Sequence, residues 1–306
     1  MRSRREAGPS DVEPDQIVVS CVFECGRHLG LEAILLYRSL DSSEGRLAKA
    51  KRRAYCVGAL DPAVARPLEA LSVDLVQTGP VLADTPLANK IRMFDCRPGE
   101  KVLVALDTDI VVVGELWPWV SDEVVGAKPV DQNPFSATHW RHIHRHLGLD
   151  EPSTRYRTHF DHELTPPYFN SGVIIMPGKW ASDVAAIWTE RTAILNRDLA
   201  AIDPGLEQYS YYTEQLAFAL AVQELGLPTC ALPLAMNFPT HQPVHRLNEA
   251  DEINPVLLHH HHRFDGGGLR RTGYRRVDEA INRLNASGIT TELARFFEAA
   301  LSTVER

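Results

Sequence analysis

Apolar positions in the first hundred residues follow two rhythms in turn. Ile17-Val18-Val19-Ser20-Cys21-Val22-Phe23 is a short β-branched run bounded by a polar tail and Gly26, the pattern of a buried strand. Between Leu29 and Leu40 the apolar residues Leu31, Ile34, Leu35, Tyr37 and Leu40 fall on a helical period. Ala54 to Gly58 reads as a second strand, Val64 to Leu71 as a helix and Val73 to Val76 as a third strand. Ala88 to Asp95 reads as helical and Lys101 to Leu106 as a strongly apolar fourth strand. Strands alternating with helices predict an α/β fold with a mostly parallel central sheet covered on both faces.

The second half is less regular. Residues 131–166 are polar, aromatic and rich in histidine, which predicts a surface insertion on the scaffold. Strand character returns at Phe169 to Met176, helices are expected over Ser182 to Leu195 and Glu214 to Leu225, and Val256 to Leu258 reads as a late strand. A closing helix is expected around Thr291 to Val304. No internal repeat and no linker rich in Gly, Ser or Pro splits the chain, so we expect a flexible tail over 1–15 and one domain over 16–306.

Composition narrows the function classes. With 306 residues, 44% hydrophobic and 24% charged, the chain has the make-up of an ordinary globular protein. A net charge of -8 argues against non-specific binding to nucleic acid or anionic lipid. It leaves room for a phosphate-bearing substrate if a divalent cation supplies positive charge. Cys21, Cys25, Cys56, Cys96 and Cys230 are scattered and form no paired metal motif, which fits reduced thiols and a cytoplasmic protein. No window is long and apolar enough for a transmembrane segment, and the N-terminus has no apolar signal core.

The sharpest chemistry is Asp107-Thr108-Asp109, between the apolar runs Val102 to Leu106 and Ile110 to Val113. Carboxylates beside buried strands are costly without a partner. At the carboxyl edge of an open α/β sheet, where ligands collect, a hard cation is such a partner. Mn²⁺ or Mg²⁺ bound there can bridge to a diphosphate. A plain turn that uses Asp twice is the alternative.

Asn89-Lys90-Ile91-Arg92-Met93-Phe94, then Lys101 to Asp109, then Gly114-Glu115-Leu116 resemble the nucleotide-sugar core of GT-A glycosyltransferases. More narrowly they are similar to glycosyltransferase family 8, the group of glycogenin and bacterial galactosyltransferases. Tyr168-Phe169-Asn170-Ser171-Gly172-Val173 resembles that family's FNSG strand, and Leu257-Leu258-His259 the position of its third metal ligand. The matches span about residues 17–262. The resemblance implies a metal-dependent transferase that moves a sugar from a nucleoside diphosphate donor, most simply a UDP-sugar, to an acceptor hydroxyl with retention. It places Lys90, Arg92, Asp107, Thr108, Asp109, Asn170, Ser171 and Gly172 against the nucleotide-sugar. Asp107, Asp109 and His259, with His261 as second choice, would hold Mn²⁺ or Mg²⁺, and Glu214 or Gln215 would lie beneath the anomeric carbon.

The chain departs from the family pattern at two places. Thr213-Glu214-Gln215 stands where the family has Asp-Gln, and His259-His260-His261-His262 is not followed by the family's Gly and Lys-Pro-Trp. The diphosphate lysine is thus missing, with Arg263, Arg270 or Arg271 as substitutes. In an extended segment, alternation sends His259 and His261 to one side and His260 and His262 to the other. An inverting enzyme would instead need a carboxylate base, for which Asp161 and Glu163 are the candidates. His142 and His146, four apart, form either a metal pair or a solvated or acceptor-facing helix edge. Trp117, Trp119, Trp140 and Trp180 are either sugar platforms or core residues, and Gly266 to Gly268 reads as a flexible turn. The competing classes are a metal-dependent nucleotidyltransferase or nucleotide-sugar hydrolase, and a nucleotide-sugar binder without turnover. The first would need a phosphate loop, of which Glu24 to Gly30 is a faint version.

Overall fold

The structure, a computed structural model, describes residues 11–242, 252–265 and 267–296. The first half contains β1 (Ile17–Glu24), α1 (Arg27–Ser42), β2 (Lys51–Val57), α2 (Pro62–Ala70), β3 (Val73–Thr78), β4 (Val102–Leu106), β5 (Ile110–Val112) and β6 (Val125–Pro129). Next come α3 (Ala137–Leu147), the short strands β7 (Tyr156–Arg157) and β8 (Leu164–Thr165), β9 (Phe169–Pro177), α4 (Gly178–Ile202) and α5 (Thr213–Glu224). The chain continues through β10 (Thr229–Ala231), β11 (Phe238–Pro239), β12 (Leu257–His259), β13 (Phe264–Asp265), β14 (Gly268–Leu269) and α6 (Arg275–Ala286).

Seven strands form the main sheet in the order β10-β6-β9-β4-β1-β2-β3. Every neighbouring pair is parallel except those involving β9, which runs against both β4 and β6. The central strands β1, β4, β6 and β9 are buried on both faces, which is why they read as apolar runs, while the edge strands β3 and β10 are partly exposed. Val102, Val104 and Leu106 of β4 join Ile34 and Leu35 of α1 in one core, and Leu103 and Ala105 face a second core with Phe94, Trp188 and Phe218. Helices α1 and α2 approach closely because position 30 is glycine: a Cβ there would lie 2.5 Å from a Val64 methyl.

The expected strands and the mostly parallel α/β sheet are present, while several local expectations change. Residues Pro86–Phe94 form a 3₁₀ segment in place of an α-helix. Ala88, Ile91 and Phe94, three residues apart, share one buried face of it, with Asn89 and Met93 buried beside them. Segment 131–166 is only partly a surface insertion, since α3 starts at a Ser136 capping box and buries Trp140, Ile143 and His144. Helix α6 has Val277, Ala280, Ile281 and Leu284 on one buried face. Of the expected closing helix, 291–296 are helical and 297–304 lie outside the described residues. Residues 1–10 of the expected tail also lie outside them, whereas Val12 is buried in the core. Gly266 lies outside them too, and Gly268 belongs to the β13–β14 hairpin. Among the described residues no helix is long and apolar enough to cross a membrane, and all five cysteines are free.

Candidate active site

Because β9 opposes β4, its first residues lie beside the last residues of β4. Leu106 pairs with Val173, and the Asp107 amide donates to the Gly172 carbonyl at 2.9 Å. Asp107-Thr108-Asp109 forms the turn from β4 into β5, and β5 pairs antiparallel with β12 so that Ile110 faces His259. The His260 amide donates to the Asp109 carbonyl at 2.9 Å. Sheet topology thus joins three stretches distant in sequence around one cavity of about 600 Å³. Lys90, Asp107, Thr108, Asp109, Asn170, Ser171, Gly172, Glu214, Gln215, His259 and His261 all line it.

The two aspartates have different partners. Lys90 Nζ donates to Asp107 Oδ2 at 2.8 Å and to Ser171 Oγ at 3.3 Å. Ser171 Oγ in turn donates to Glu214 Oε2 at 3.1 Å. Burial opposes the Lys90 charge, but the Asp107 and Glu214 carboxylates hold its ammonium above the ordinary lysine value. Burial raises the Glu214 carboxyl to about 7 against the opposing pull of Lys90. Gln215 Oε1 accepts from the Ser171 amide at 3.3 Å and its Nε2 donates to Tyr168 Oη at 2.8 Å, which fixes the amide at the cavity floor.

Asp109 Oδ1 instead lies 2.9 Å from His259 Nε2. Burial works to raise the Asp109 carboxyl, yet His259 beside it holds it well below the usual carboxylate range. His259 and His261 stack with ring centroids 3.8 Å apart, but β12 ends at His259 and the chain turns through left-handed φ at His261 (46°) and His262 (58°), so the expected strand alternation does not extend along the run and His262 lines the cavity as well. His261 Nδ1 donates to the His259 carbonyl at 2.9 Å, so its Nε2 carries the lone pair. Burial, with His259 and His241 adjacent, pushes His261 down to about 3 and keeps it neutral. Asp109, His259 and His261 each offer one donor atom, all within 4.8 Å of one another. One carboxylate and two imidazoles suit a divalent first-row ion. The approach is possible because residue 172 is glycine. A Cβ there would lie 2.9 Å from Asp107 Oδ2, 3.0 Å from Asn170 Oδ1 and 3.2 Å from His259 Cε1.

A family model of the Rhodobacterales glycosyltransferase domain matches residues 19–226, more than half of the chain. The chain belongs to this family. No curated protein sequence matches the chain. Among solved structures, the glycosyltransferase domain is similar to an active-site mutant of LgtC, at 14% identity and a TM-score of 0.54, covering 88% of this chain and 95% of that one. It is also similar to the glycosyltransferase GlyE of Streptococcus pneumoniae TIGR4, at 14% identity and a TM-score of 0.50, covering 92% of this chain and 63% of that one. At these identities the likeness establishes a shared GT-A fold.

Several expected site residues of the glycosyltransferase lie elsewhere. The Arg92 side chain reaches back to the carbonyls of Gly79 at 3.1 Å and Pro80 at 3.4 Å, bracing the loop that precedes its own segment. Asp161 accepts from Thr158 Oγ1 within the β7–β8 hairpin, and neither it nor Glu163 lines the cavity. Arg263, Arg270 and Arg271 do not line it either; among the described residues Lys90 is the lysine or arginine that does. His142 and His146 bind separate acids, Asp203 at 2.9 Å and Asp198 at 3.1 Å, tying α3 to α4 and the 3₁₀ segment Pro204–Tyr212. None of the four tryptophans lines the cavity, where the aromatic rings are Phe23 and the exposed Tyr211 and Tyr212.

Sequence reasoning missed Glu32, Asn237 and His241. Glu32, on α1, has no exposed surface; it accepts from Thr108 Oγ1 at 3.0 Å and lies 2.7 Å from His262 Nδ1, linking the aspartate turn to the histidine run. A polar residue at a buried position of an apolar helix was its only signal. His241 packs against His261 with centroids 4.1 Å apart.

Proposed function

We propose that this glycosyltransferase moves a hexosyl group from a UDP-sugar to an acceptor hydroxyl with retention, using Mn²⁺ or Mg²⁺. One observation carries the reading: the aspartate turn, the Asn170-Ser171-Gly172 strand end and the histidine run converge on a single cavity at the carboxyl edge of the sheet. Asp109, His259 and His261 would hold the ion, with Asp107 beside them. When bound, the ion would neutralise charge on the departing diphosphate.

The chain's own residues supply the rest. Lys90 adds a fixed cation at the same wall, and its contacts to Asp107 and Ser171 aim it toward the donor. Asn170 offers an amide to sugar hydroxyls, and Gln215 is held beneath the reacting carbon by Tyr168 and the Ser171 amide. The bond from the anomeric carbon to the phosphate oxygen breaks, the bond to the acceptor oxygen forms, and the acceptor proton passes to the leaving phosphate. Of the base candidates for inversion, Asp161 and Glu163 lie outside the cavity, and Glu214, which lines it, is already engaged by Ser171 Oγ and the Lys90 charge, so retention is the reading we favour.

Acceptors enter past Tyr211 and Tyr212 at the cavity mouth. Segment 131–166 contributes by holding these tyrosines in place, since Phe135 and His139 pack on Tyr209 and His142 pairs with Asp203. The test is to incubate the protein with a panel of UDP-hexoses and simple saccharide acceptors and read the products by NMR. Metal-dependent UDP release with α-linked product from an α-linked donor supports the proposal. A β-linked product contradicts retention, and turnover of GDP-sugars alone contradicts the donor class.

A further inference from the structure

We propose that Asn237 is a positioning residue that sets the metal-binding tautomer of His259, and that the backbone N–H of Gly172 is its anchor. The inference rests on the metal reading above. Asn237 is buried and immediately precedes β11, which pairs in parallel with β12 so that Pro239 faces His259. Its side chain bridges two groups: Nδ2 donates to Asn170 Oδ1 at 2.8 Å, and Oδ1 lies 3.0 Å from His259 Nδ1.

Neither amide orientation is free, because one end of the chain of hydrogen bonds is a backbone group. The Gly172 N–H donates to the Asn170 side chain at 2.9 Å and can only donate, so the atom facing it is the Asn170 oxygen. That oxygen can only accept, so Asn237 must present its NH₂ to it. The Asn237 oxygen then faces His259, and being an acceptor it requires the proton on Nδ1. Nε2 is left as the nitrogen directed at Asp109, 2.9 Å away, among the donor atoms of the cluster. These contacts fix a proton on Nδ1; in the metal-free protein a second proton on Nε2 satisfies Asp109, and it is this Nε2 position that an ion would take.

Without Asn237 the balance reverses. The Asp109 carboxylate favours a proton on Nε2, and a neutral His259 would keep it there and turn its lone pair at Nδ1 away from the cluster. Partners that hold the distal nitrogen of a metal-bound histidine typically change metal affinity by about 10- to 100-fold.

The experiment is a Mn²⁺ titration of the whole protein, read from the EPR signal of free Mn²⁺, on the parent and four variants, each checked by thermal melting. Asn237→Leu removes both contacts and should weaken Mn²⁺ binding at least tenfold, whereas Asn237→Asp keeps the acceptor for His259 and should bind no more weakly than the parent. Asn170→Leu frees the Asn237 amide to rotate and should weaken binding, and Asn170→Asp, still an acceptor for both donors, should not. If Asn237→Leu fails to fold, the Asn170 pair decides. Parent-like affinity in both folded leucine variants, or equal loss in Asn237→Asp and Asn237→Leu, overturns the proposal while leaving the metal site standing. A parent that binds no Mn²⁺ overturns the metal reading itself, and this inference with it.

Discussion

Lys90 Nζ and Asp107 Oδ2, 2.8 Å apart, form a largely buried ion pair on the wall of the cavity, with side-chain exposures of 15% and 18%. Removing one member of such a pair leaves the other charge without compensation. Lys90→Met should therefore cost about 2 kcal/mol of folding stability, less than a fully enclosed pair because both groups retain some water. Urea unfolding of the metal-free protein checks this, and an unchanged midpoint would contradict the pairing.

Glu214 makes stability depend on pH with a definite sign. Its carboxyl is raised to about 7 in the folded chain, chiefly by burial, from an ordinary value of 4.5. A raised carboxyl favours folding below its unfolded value, and that contribution is lost as pH rises through the folded value. Glu214→Gln, which cannot ionise, should gain about 2–3 kcal/mol relative to the parent between pH 5 and pH 8.5. Unfolding curves at the two pH values that show the same difference between variant and parent would sink this.

Gly172→Ala places a methyl group among Asp107, Asn170 and His259, at separations of 2.9 to 3.2 Å. These groups must move apart, at a cost of about 1–3 kcal/mol. Mn²⁺ affinity should fall together with the melting temperature. Full retention of both would mean that the convergence at Gly172 is looser than described.

Asp161 caps its own hairpin outside the cavity. Asp161→Asn should therefore leave the rate of sugar transfer within about threefold of the parent, since a surface hydrogen bond contributes little. A loss of the size seen when a general base is removed, about 100-fold or more, would return it to the reaction.

How much was legible in the sequence depended on whether a residue's role was local. The alternation of strands and helices predicted the sheet, because burial on both faces writes continuous apolar runs such as Val102 to Leu106. The aspartate turn stood out because charge interrupts those runs; the pairing of His259 with His261 was expected from strand alternation but arises from a turn after His259, which alternation does not describe. Arg92 was misplaced because a resemblance places a position in a segment but not the direction of its side chain, which here turns back to Gly79. Asn237 and Glu32 were invisible because their roles exist only through partners 67 and 76 residues away, Asn170 and Thr108. Helix α6 was missed although Val277, Ala280, Ile281 and Leu284 do repeat at helical spacing within a polar stretch.

Calorimetric titration of UDP, first with Mn²⁺ and then with EDTA, tests the central claim most directly, with GDP as the control nucleotide. UDP should bind in Mn²⁺, lose that binding when the ion is chelated, and bind far more tightly than GDP. Binding of neither nucleotide in Mn²⁺, or UDP binding indifferent to EDTA, would contradict a metal-dependent UDP-sugar site at Asp109, His259 and His261.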